Sequence, residues 1–189
     1  MNPILLDFPS EFTTKHLLLR APKFGDGKAV NSAILASINE LKQWLPFAQQ
    51  APTLEDTETN TREAIAKFIL REDLRFLIFE RFTGQFIGST GLHRINWEVR
   101  SFEIGYWIDS RFSGKGFMTE AVQGLIYFAE TELAAKRIEI RCDSNNGKSR
   151  NIPEKLGFTL EGTFHHDALS ADGKSLRDTS VFAKIIQRK

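Results

Sequence analysis

A glycine-bearing turn between an apolar strand and a helix is the feature that most limits what this chain can fold into. Residues 111–121 read Arg-Phe-Ser-Gly-Lys-Gly-Phe-Met-Thr-Glu-Ala and follow the apolar run 102–108. Gly114 and Gly116 have no side chains, so a ligand can approach the backbone closely. The first N–H groups of the next helix lack intrahelical partners, and the helix dipole is positive at that end. This arrangement predicts a site for a phosphate or pyrophosphate group.

The spacing of the glycines excludes two common phosphate-binding loops. A P-loop needs four residues between its glycines, followed by Gly-Lys-Ser or Gly-Lys-Thr, whereas only Lys115 separates Gly114 from Gly116. A dinucleotide-binding fingerprint needs a third glycine and lies in the first strand–helix unit. Here the turn follows a series of predicted strands deep in the chain, so the phosphate compound must be identified from other segments.

The hydrophobic periodicity predicts helices and strands with consecutive strands in the middle of the chain. The predicted helices cover residues 28–41, 53 to about 73, 117–133 and 148–156. The predicted strands cover residues 16–20, 74–80, 86–96, 102–108, 136–142, 158–163 and 177–186. This order predicts an α/β fold of the α+β kind, with a mixed, mostly antiparallel central sheet of about seven strands flanked by helices.

Three short signals mark boundaries between these elements. Pro46 breaks the first helical segment, and Thr53-Leu-Glu-Asp56 resembles an N-terminal capping pattern. Thr83-Gly84 lies between two apolar runs and predicts a β-hairpin.

Length and charge limit the classes of protein that this chain can belong to. A chain of 189 residues is expected to form a single domain over 1–189. Its 25 Lys and Arg nearly balance its 24 Asp and Glu, so direct nucleic-acid binding is not expected. No apolar run approaches the roughly 18 residues of a membrane span, and Met1–Asp7 lacks the charge pattern of a signal peptide. We therefore expect a cytoplasmic protein that binds no membrane.

Cysteine and histidine indicate no metal or thiol chemistry. Cys142 alternates with Ile140 and Ile138 on one face of a predicted strand, which is typical of a buried thiol. The four histidines form no metal-ligand spacing: they are His16, His93, His165 and His166. We expect no metal, and we interpret the last two as a polar pair in a loop or strand.

Two motifs in this order resemble the GNAT superfamily of N-acetyltransferases. The family's acetyl-CoA motif, Gln/Arg-x-x-Gly-x-Gly/Ala, is matched by Arg111-x-x-Gly114-x-Gly116. A second family motif, Asn-x-x-Ser before a short helix ending in Lys-Leu-Gly-Phe, is matched by Asn146-x-x-Ser149 and by residues 155–158. The resemblance covers about residues 14–186, the expected core of the domain. It implies the GNAT fold and acetyl-CoA as co-substrate.

Further blocks are similar to the subgroup that acetylates the N-termini of ribosomal proteins. They are residues 103–109, 17–20 and 44–46. The resemblance implies transfer of an acetyl group to a primary amine, in particular the N-terminal α-amine of a protein. A small-molecule amine (an antibiotic, a polyamine or an amino-acid derivative) is the alternative acceptor. A non-catalytic acyl-CoA sensor and a ribosome-binding factor are further alternatives, and we expect a monomer or a homodimer.

The resemblance also implies how acetyl-CoA is held. Backbone amides over 112–118 are expected to bind the pyrophosphate, and the pantetheine is expected between the strands 102–108 and 136–142. A backbone N–H near Trp107 or Ile108 is expected to stabilise the tetrahedral oxyanion. The predicted cofactor-binding residues are Trp107, Ile108, Phe112, Ser113, Gly114, Lys115, Gly116, Phe117, Met118, Asn146, Ser149 and Asn151.

Catalysis requires a base for the amine and an acid for the leaving thiolate. Strand alternation places Glu103 opposite the apolar face of its strand, which makes it the predicted base and an acceptor-binding residue. The alternatives are Asp167, water, or a merely structural ion pair for Glu103. Ser149 is the predicted acid, but it could instead cap the helix, and Tyr106 is the alternative acid. Trp44 and Phe47 are expected to wall the acceptor site.

Pro153 departs from the pattern of the family. It falls inside the short helix after Ser149, where a proline beyond the first turn removes a backbone hydrogen bond. If Ser149 is the N-cap, Pro153 is at the limit of tolerance, and the helix could start nearer Asn151. The orientation of Ser149 and Asn151 towards CoA is open at this point.

Overall fold

The computed structural model of the protein describes residues 2–186 and is built around an eight-stranded sheet. The strands are β1 (Glu11–Thr13), β2 (Leu17–Arg20), β3 (Leu74–Glu80), β4 (Phe86–Asn96), β5 (Ser101–Ile108), β6 (Arg137–Asp143), β7 (Thr159–Leu169) and β8 (Leu176–Ile185). The α-helices are α1 (Gly27–Ala36), α2 (Ile38–Leu41), α3 (Leu54–Leu70), α4 (Phe117–Thr131) and α5 (Gly147–Lys155). The predicted fold class is confirmed. The additional strand, β1, has only three residues, which is too short to show an alternating pattern.

The strand order β1-β2-β3-β4-β5-β6-β8-β7 contains one parallel pair, β5 with β6. These two strands are paired only from Ser101 to Glu103 of β5 and from Arg137 to Glu139 of β6. Further along, β5 pairs with β4 alone and β6 with β8 alone. The two strands therefore diverge, and a gap opens in the sheet beside Gly105. Unpaired backbone groups along such a gap can hydrogen-bond an extended ligand.

Helix α4 covers one face of the sheet at this gap. Its apolar residues recur at helical spacing and are buried; they are Met118, Ala121, Val122, Leu125, Ile126, Phe128 and Ala129. They pack in one cluster with Phe102, Ile104, Ile138, Ile140 and Cys142 of β5 and β6. The predicted burial of Cys142 is confirmed. The charged residues that alternate with this set in β6 are half-buried on the other face.

The prediction of one helix over 28–41 is wrong, because α1 and α2 meet at Ser37. Ser37 is fully buried and has a non-helical backbone with φ −116° and ψ 10°. Its Oγ accepts the N–H of Ser110 at 2.7 Å and lies 3.5 Å from a carboxylate oxygen of Asp109. Burying an unpaired hydroxyl is unfavourable, so these contacts with a distant loop outweigh the local helical periodicity.

The predicted boundary signals at Thr53 and Thr83-Gly84 are confirmed. Thr53 Oγ1 accepts the N–H of Asp56 at 3.0 Å, and the Asp56 carboxylate accepts the N–H of Thr53 at 3.0 Å. Helix α3 nevertheless ends at Leu70 rather than near residue 73, because Arg71 adopts a left-handed backbone with φ +61°. Gly84, with φ +70°, turns β3 into β4.

Strand β7 is longer than predicted, because an irregularity interrupts its pairing without ending it. The register with β8 shifts between Phe164 and Ala168, and His166 has φ +53°. His165 Nδ1 lies 2.8 Å from the Asp178 carboxylate, which also accepts the His166 N–H at 2.9 Å. The interpretation of these histidines as a polar pair is confirmed. Across residues 2–186, no helix is both long enough and apolar enough to span a bilayer.

Candidate active site

The glycine turn leads from β5 through the 3₁₀ turn Ser110–Phe112 into α4. Gly114 and Gly116 have φ of +78° and +83°, a conformation that other residues avoid. A Cβ on either glycine would have no other atom within 4 Å, so the space in front of the turn is open. Gly116 is the N-cap of α4 and supplies no side-chain cap. The first N–H groups of α4 are therefore available to an anion.

A buried carboxylate that the sequence analysis missed holds this turn in place. Asp109 is fully buried, accepts the Arg111 N–H at 3.0 Å and forms a bidentate ion pair with the Arg111 guanidinium. Burial alone would raise the pKa of Asp109, but the hydrogen bonds from Arg111 outweigh burial and lower it. Arg111 therefore fastens the turn rather than pointing freely to a phosphate. An Asp between a strand and a turn was the available sequence signal.

Helix α5 begins at Gly147, and its N-cap is Asn146 rather than Ser149. The Asn146 side-chain oxygen accepts the N–H of Ser149 at 3.0 Å. A start near Asn151 is therefore wrong, because the cap lies five residues earlier; Asn151 is exposed in α5. The Ser149 hydroxyl is not used for capping and lies 3.3 Å from the Tyr106 hydroxyl.

Pro153 creates a hydrogen-bond acceptor inside α5. In a regular helix, the N–H at position 153 would donate to the C=O of Ser149, and proline has no N–H. The Tyr106 hydroxyl donates to that C=O at 2.8 Å instead. Burial raises the pKa of Tyr106, so this hydroxyl stays protonated at neutral pH. The proline therefore fixes Tyr106 beside Ser149 and brings the two predicted acids together.

Glu103 lies on the opposite face of β5, as the alternation predicted. It is paired in register with Glu139 of β6 at the last point before the strands diverge. Burial raises the pKa of its carboxyl group, although Arg94 and Arg141 oppose this shift. Arg94 Nη1 is 3.5 Å from Glu103 Oε2, and Arg141 Nη2 is 3.4 Å from the carboxylate of Asp167, the alternative base.

Aromatic side chains flank the Glu103 face of the sheet at the C-terminal end of β5. The Trp107 ring centroid lies 5.8 Å from that of Phe86 and 6.3 Å from that of Phe47. Phe47 belongs to the 3₁₀ turn Pro46–Ala48. The helical segment already ends at Leu41, so Pro46 begins this turn and does not itself break the helix. Trp44 is half-buried between α2 and this turn. Phe47 and Trp107 thus form one wall beside the gap.

The fold and the site together define a CoA-dependent acyltransferase. The sheet opens at its parallel pair, a glycine turn with uncapped N–H groups leads into α4, Ser149 contacts Tyr106 on the α5 side, and Glu103 lies on the opposite face. The sequence profile of the acetyltransferase (GNAT) domain family matches residues 16–159. The chain belongs to this family, and the protein is an N-acetyltransferase that uses acetyl-CoA.

Known proteins support this class over nearly the whole chain. YdaF of Bacillus subtilis (strain 168), provisionally named a ribosomal N-acetyltransferase, is 33% identical over 184 residues, covering 94% of this chain and 97% of YdaF. The ribosomal-protein-serine acetyltransferase of Escherichia coli (strain K12) is 28% identical over 149 residues, 77% of this chain and 81% of that protein.

A solved structure extends the similarity to the fold. RimL, a ribosomal L7/L12 α-N-protein acetyltransferase in complex with coenzyme A, superposes with a TM-score of 0.85 at 25% identity, covering 92% of this chain and 96% of that chain.

Within residues 2–186, no group of three or more His, Cys, Asp or Glu side chains is arranged to hold a metal ion.

Proposed function

We propose that the protein acetylates the N-terminal α-amine of a protein, such as a ribosomal protein, in the cytoplasm. The observation that carries this proposal is the half-buried Glu103 carboxylate at the point where β5 and β6 diverge. An α-amine has a pKa near 8, so about a tenth is neutral at pH 7, against a few parts in ten thousand for lysine. A single carboxylate is a sufficient base for such an acceptor. The names of the relatives support the same acceptor class.

The residues around the gap fit acetyl-CoA in three places. Open space and uncapped N–H groups at the start of α4 suit the pyrophosphate. The unpaired edges of β5 and β6 suit the amides of the pantetheine, and we assign the oxyanion to a backbone N–H near Trp107 or Ile108. Ser149 contacts Tyr106 of β5, and Asn146 caps the same helix, which supports a role for both residues in binding the cofactor. We propose all the predicted cofactor-binding residues for these contacts, with Asn151 at the exposed edge.

The proposed reaction is direct attack by the amine. Glu103 takes a proton from the ammonium group, and the freed lone pair forms the C–N bond with the acetyl carbon. The C–S bond breaks and its electron pair leaves with sulfur, while the nitrogen gives up a second proton and becomes the amide nitrogen. Ser149 Oγ then gives its proton to the thiolate and regains one from solvent, while Tyr106 holds the Ser149 backbone through its hydrogen bond.

Replacing Ser149 by alanine is expected to lower kcat at every pH from about 6 to 9, because raising pH does not help to protonate a thiolate. The melting temperature should change little, because the cap is Asn146. Asn146→Ala is the matched variant for stability and should lose about 1 kcal/mol. Stopped assays of CoA release and thermal melts measure both effects. Unchanged turnover of Ser149→Ala would assign the acid to Tyr106, which Tyr106→Phe tests.

The acceptor class is tested with purified protein and a panel of amines. Peptides with a free N-terminus should be acetylated at rates that rise as pH approaches about 8. The same peptides with a blocked N-terminus and an internal lysine are the control, and they should react far more slowly. Turnover of a polyamine or an aminoglycoside without any peptide reaction would contradict this acceptor while leaving the enzyme class unaffected.

A further inference from the structure

A histidine–aspartate pair lies beside Glu103 and has no role in the reaction described so far. His93 of β4 is directly opposite Glu103 of β5 in the antiparallel register. Directly opposite residues of neighbouring strands project to the same face, so both side chains lie on the proposed acceptor side. Asp73, which precedes β3, contacts His93 Nδ1 through its Oδ2 at 2.5 Å.

Two glycines provide the space in which the His93 ring lies. Gly91 and Gly105 are opposite each other in β4 and β5. A Cβ on Gly91 would lie 3.1 Å from His93 Cε1, and a Cβ on Gly105 would lie 3.2 Å from His93 Nε2. Any larger residue would push the imidazole away. The ring therefore lies over Gly105, where β5 has parted from β6, with Nε2 towards that strand.

The contact with Asp73 determines which nitrogen of His93 is free. A carboxylate only accepts hydrogen bonds, so we assign the proton to Nδ1 and the lone pair to Nε2. Asp73 Oδ1 is buried without another partner among residues 2–186, so His93 is the group that its carboxylate contacts. The His93 side chain is 31% exposed, so the ring is not sealed off from the acceptor side.

The reaction removes two protons from the acceptor nitrogen at two different stages. An ammonium nitrogen enters with three hydrogens and leaves in a secondary amide with one, so two protons depart. One must leave before the attack, to free the lone pair, and the other after the C–N bond has formed. Sulfur takes up one proton, and the other is released to solvent.

We propose that His93 is a further catalytic base of this enzyme and that Asp73 is its positioning residue. Glu103 takes the first proton from the acceptor nitrogen, and His93 Nε2 takes the second from the same nitrogen as the C–S bond breaks. This assignment rests on the proposed role of Glu103. The charged groups of this region, besides the pair itself, are Glu103 with its neighbours Arg94, Glu139 and Arg141, and Arg75 with its neighbour Glu63.

The variants His93→Ala and Glu103→Gln test this assignment, because their losses of kcat should depend differently on pH. We expect His93→Ala to lower kcat about 10²- to 10⁴-fold while the Kd for acetyl-CoA is unchanged. The deficit should persist at about pH 9, because the second proton leaves only after attack, whereas the deficit of Glu103→Gln should shrink as the amine ionises. Added imidazole should restore turnover to His93→Ala. Asp73→Asn should also lose activity. Added imidazole should not restore it, because the His93 ring is still present in this variant.

The control is His165→Ala, which removes a second histidine–aspartate contact, between His165 of β7 and Asp178 of β8. The His165 side chain is 78% exposed, and this variant should keep wild-type turnover. The assay uses whichever amine the wild type acetylates fastest, so failure of the peptide acceptor does not affect it. His93→Ala turnover within twofold of wild type would overturn the proposal. So would a long-range ¹H–¹⁵N spectrum of the wild type, at about pH 9, that places the His93 proton on Nε2. This measurement uses the wild-type protein alone, so it depends neither on an active acceptor nor on a variant that folds.

Discussion

Replacing Gly116 with aspartate is expected to abolish acetyl-CoA binding. The Cβ would project into the open space in front of the turn, where the pyrophosphate is proposed to lie. The added carboxylate would repel that anion at short range. Titration calorimetry should show no heat of binding, and millimolar acetyl-CoA should no longer raise the melting temperature, which rises for the wild type by mass action.

A matched glycine separates the effect of charge from that of backbone strain. Gly173 has φ +72°, and a Cβ there would also meet no atom within 4 Å. Either aspartate variant strains a left-handed residue by roughly 1–2 kcal/mol. Gly173→Asp should therefore melt at a similar temperature to Gly116→Asp but bind acetyl-CoA normally. Binding by Gly116→Asp within a few-fold of wild type would show that the pyrophosphate lies elsewhere.

Glu103→Gln is expected to lower kcat about 10²- to 10⁴-fold at neutral pH with little change in acetyl-CoA affinity. Glutamine keeps the shape of the side chain but cannot take a proton. The deficit should shrink as pH rises towards the pKa of the α-amine, about 8, because the acceptor then loses its proton unaided. Initial rates across the pH range measure this effect. Constant, wild-type turnover at all pH values would assign the base to Asp167 or water.

The same substitution is expected to stabilise the fold at neutral pH. Burial raises the pKa of Glu103 in the folded state, so its ionised form is less favourable there than in the unfolded chain. This cost is absent below the unfolded pKa of about 4.3 and reaches its full size once pH exceeds the folded pKa. Glu103→Gln should therefore melt higher than wild type at pH 7, and the difference should vanish in acid. Equal melting temperatures at pH 7 would mean that Arg94 and Arg141 cancel the effect of burial.

The strands and the glycine turn were predictable because they depend on neighbouring residues. The apolar runs 74–80 and 86–96 predicted the bounds of β3 and β4, and Thr83-Gly84 predicted their turn. The paired glycines 114 and 116 need no tertiary context to adopt positive φ. The alternative role of Ser149 as the helix cap is wrong by three residues, because Asn146 and Ser149 are both good caps and local sequence does not rank them.

By itself, the sequence determined the fold class, the family and the place of the glycine turn, since these follow from periodicity and from residues close together in the chain. The tertiary structure decided which distant groups meet. Ser37 and Asp109 are 72 residues apart, Tyr106 and Ser149 are 43 apart, and Asp73 and His93 are 20 apart. Each of these contacts depends on strand register and on where neighbouring strands part. A one-residue change of register would reverse the face of every side chain in a strand, so such contacts exist only once the whole sheet has formed.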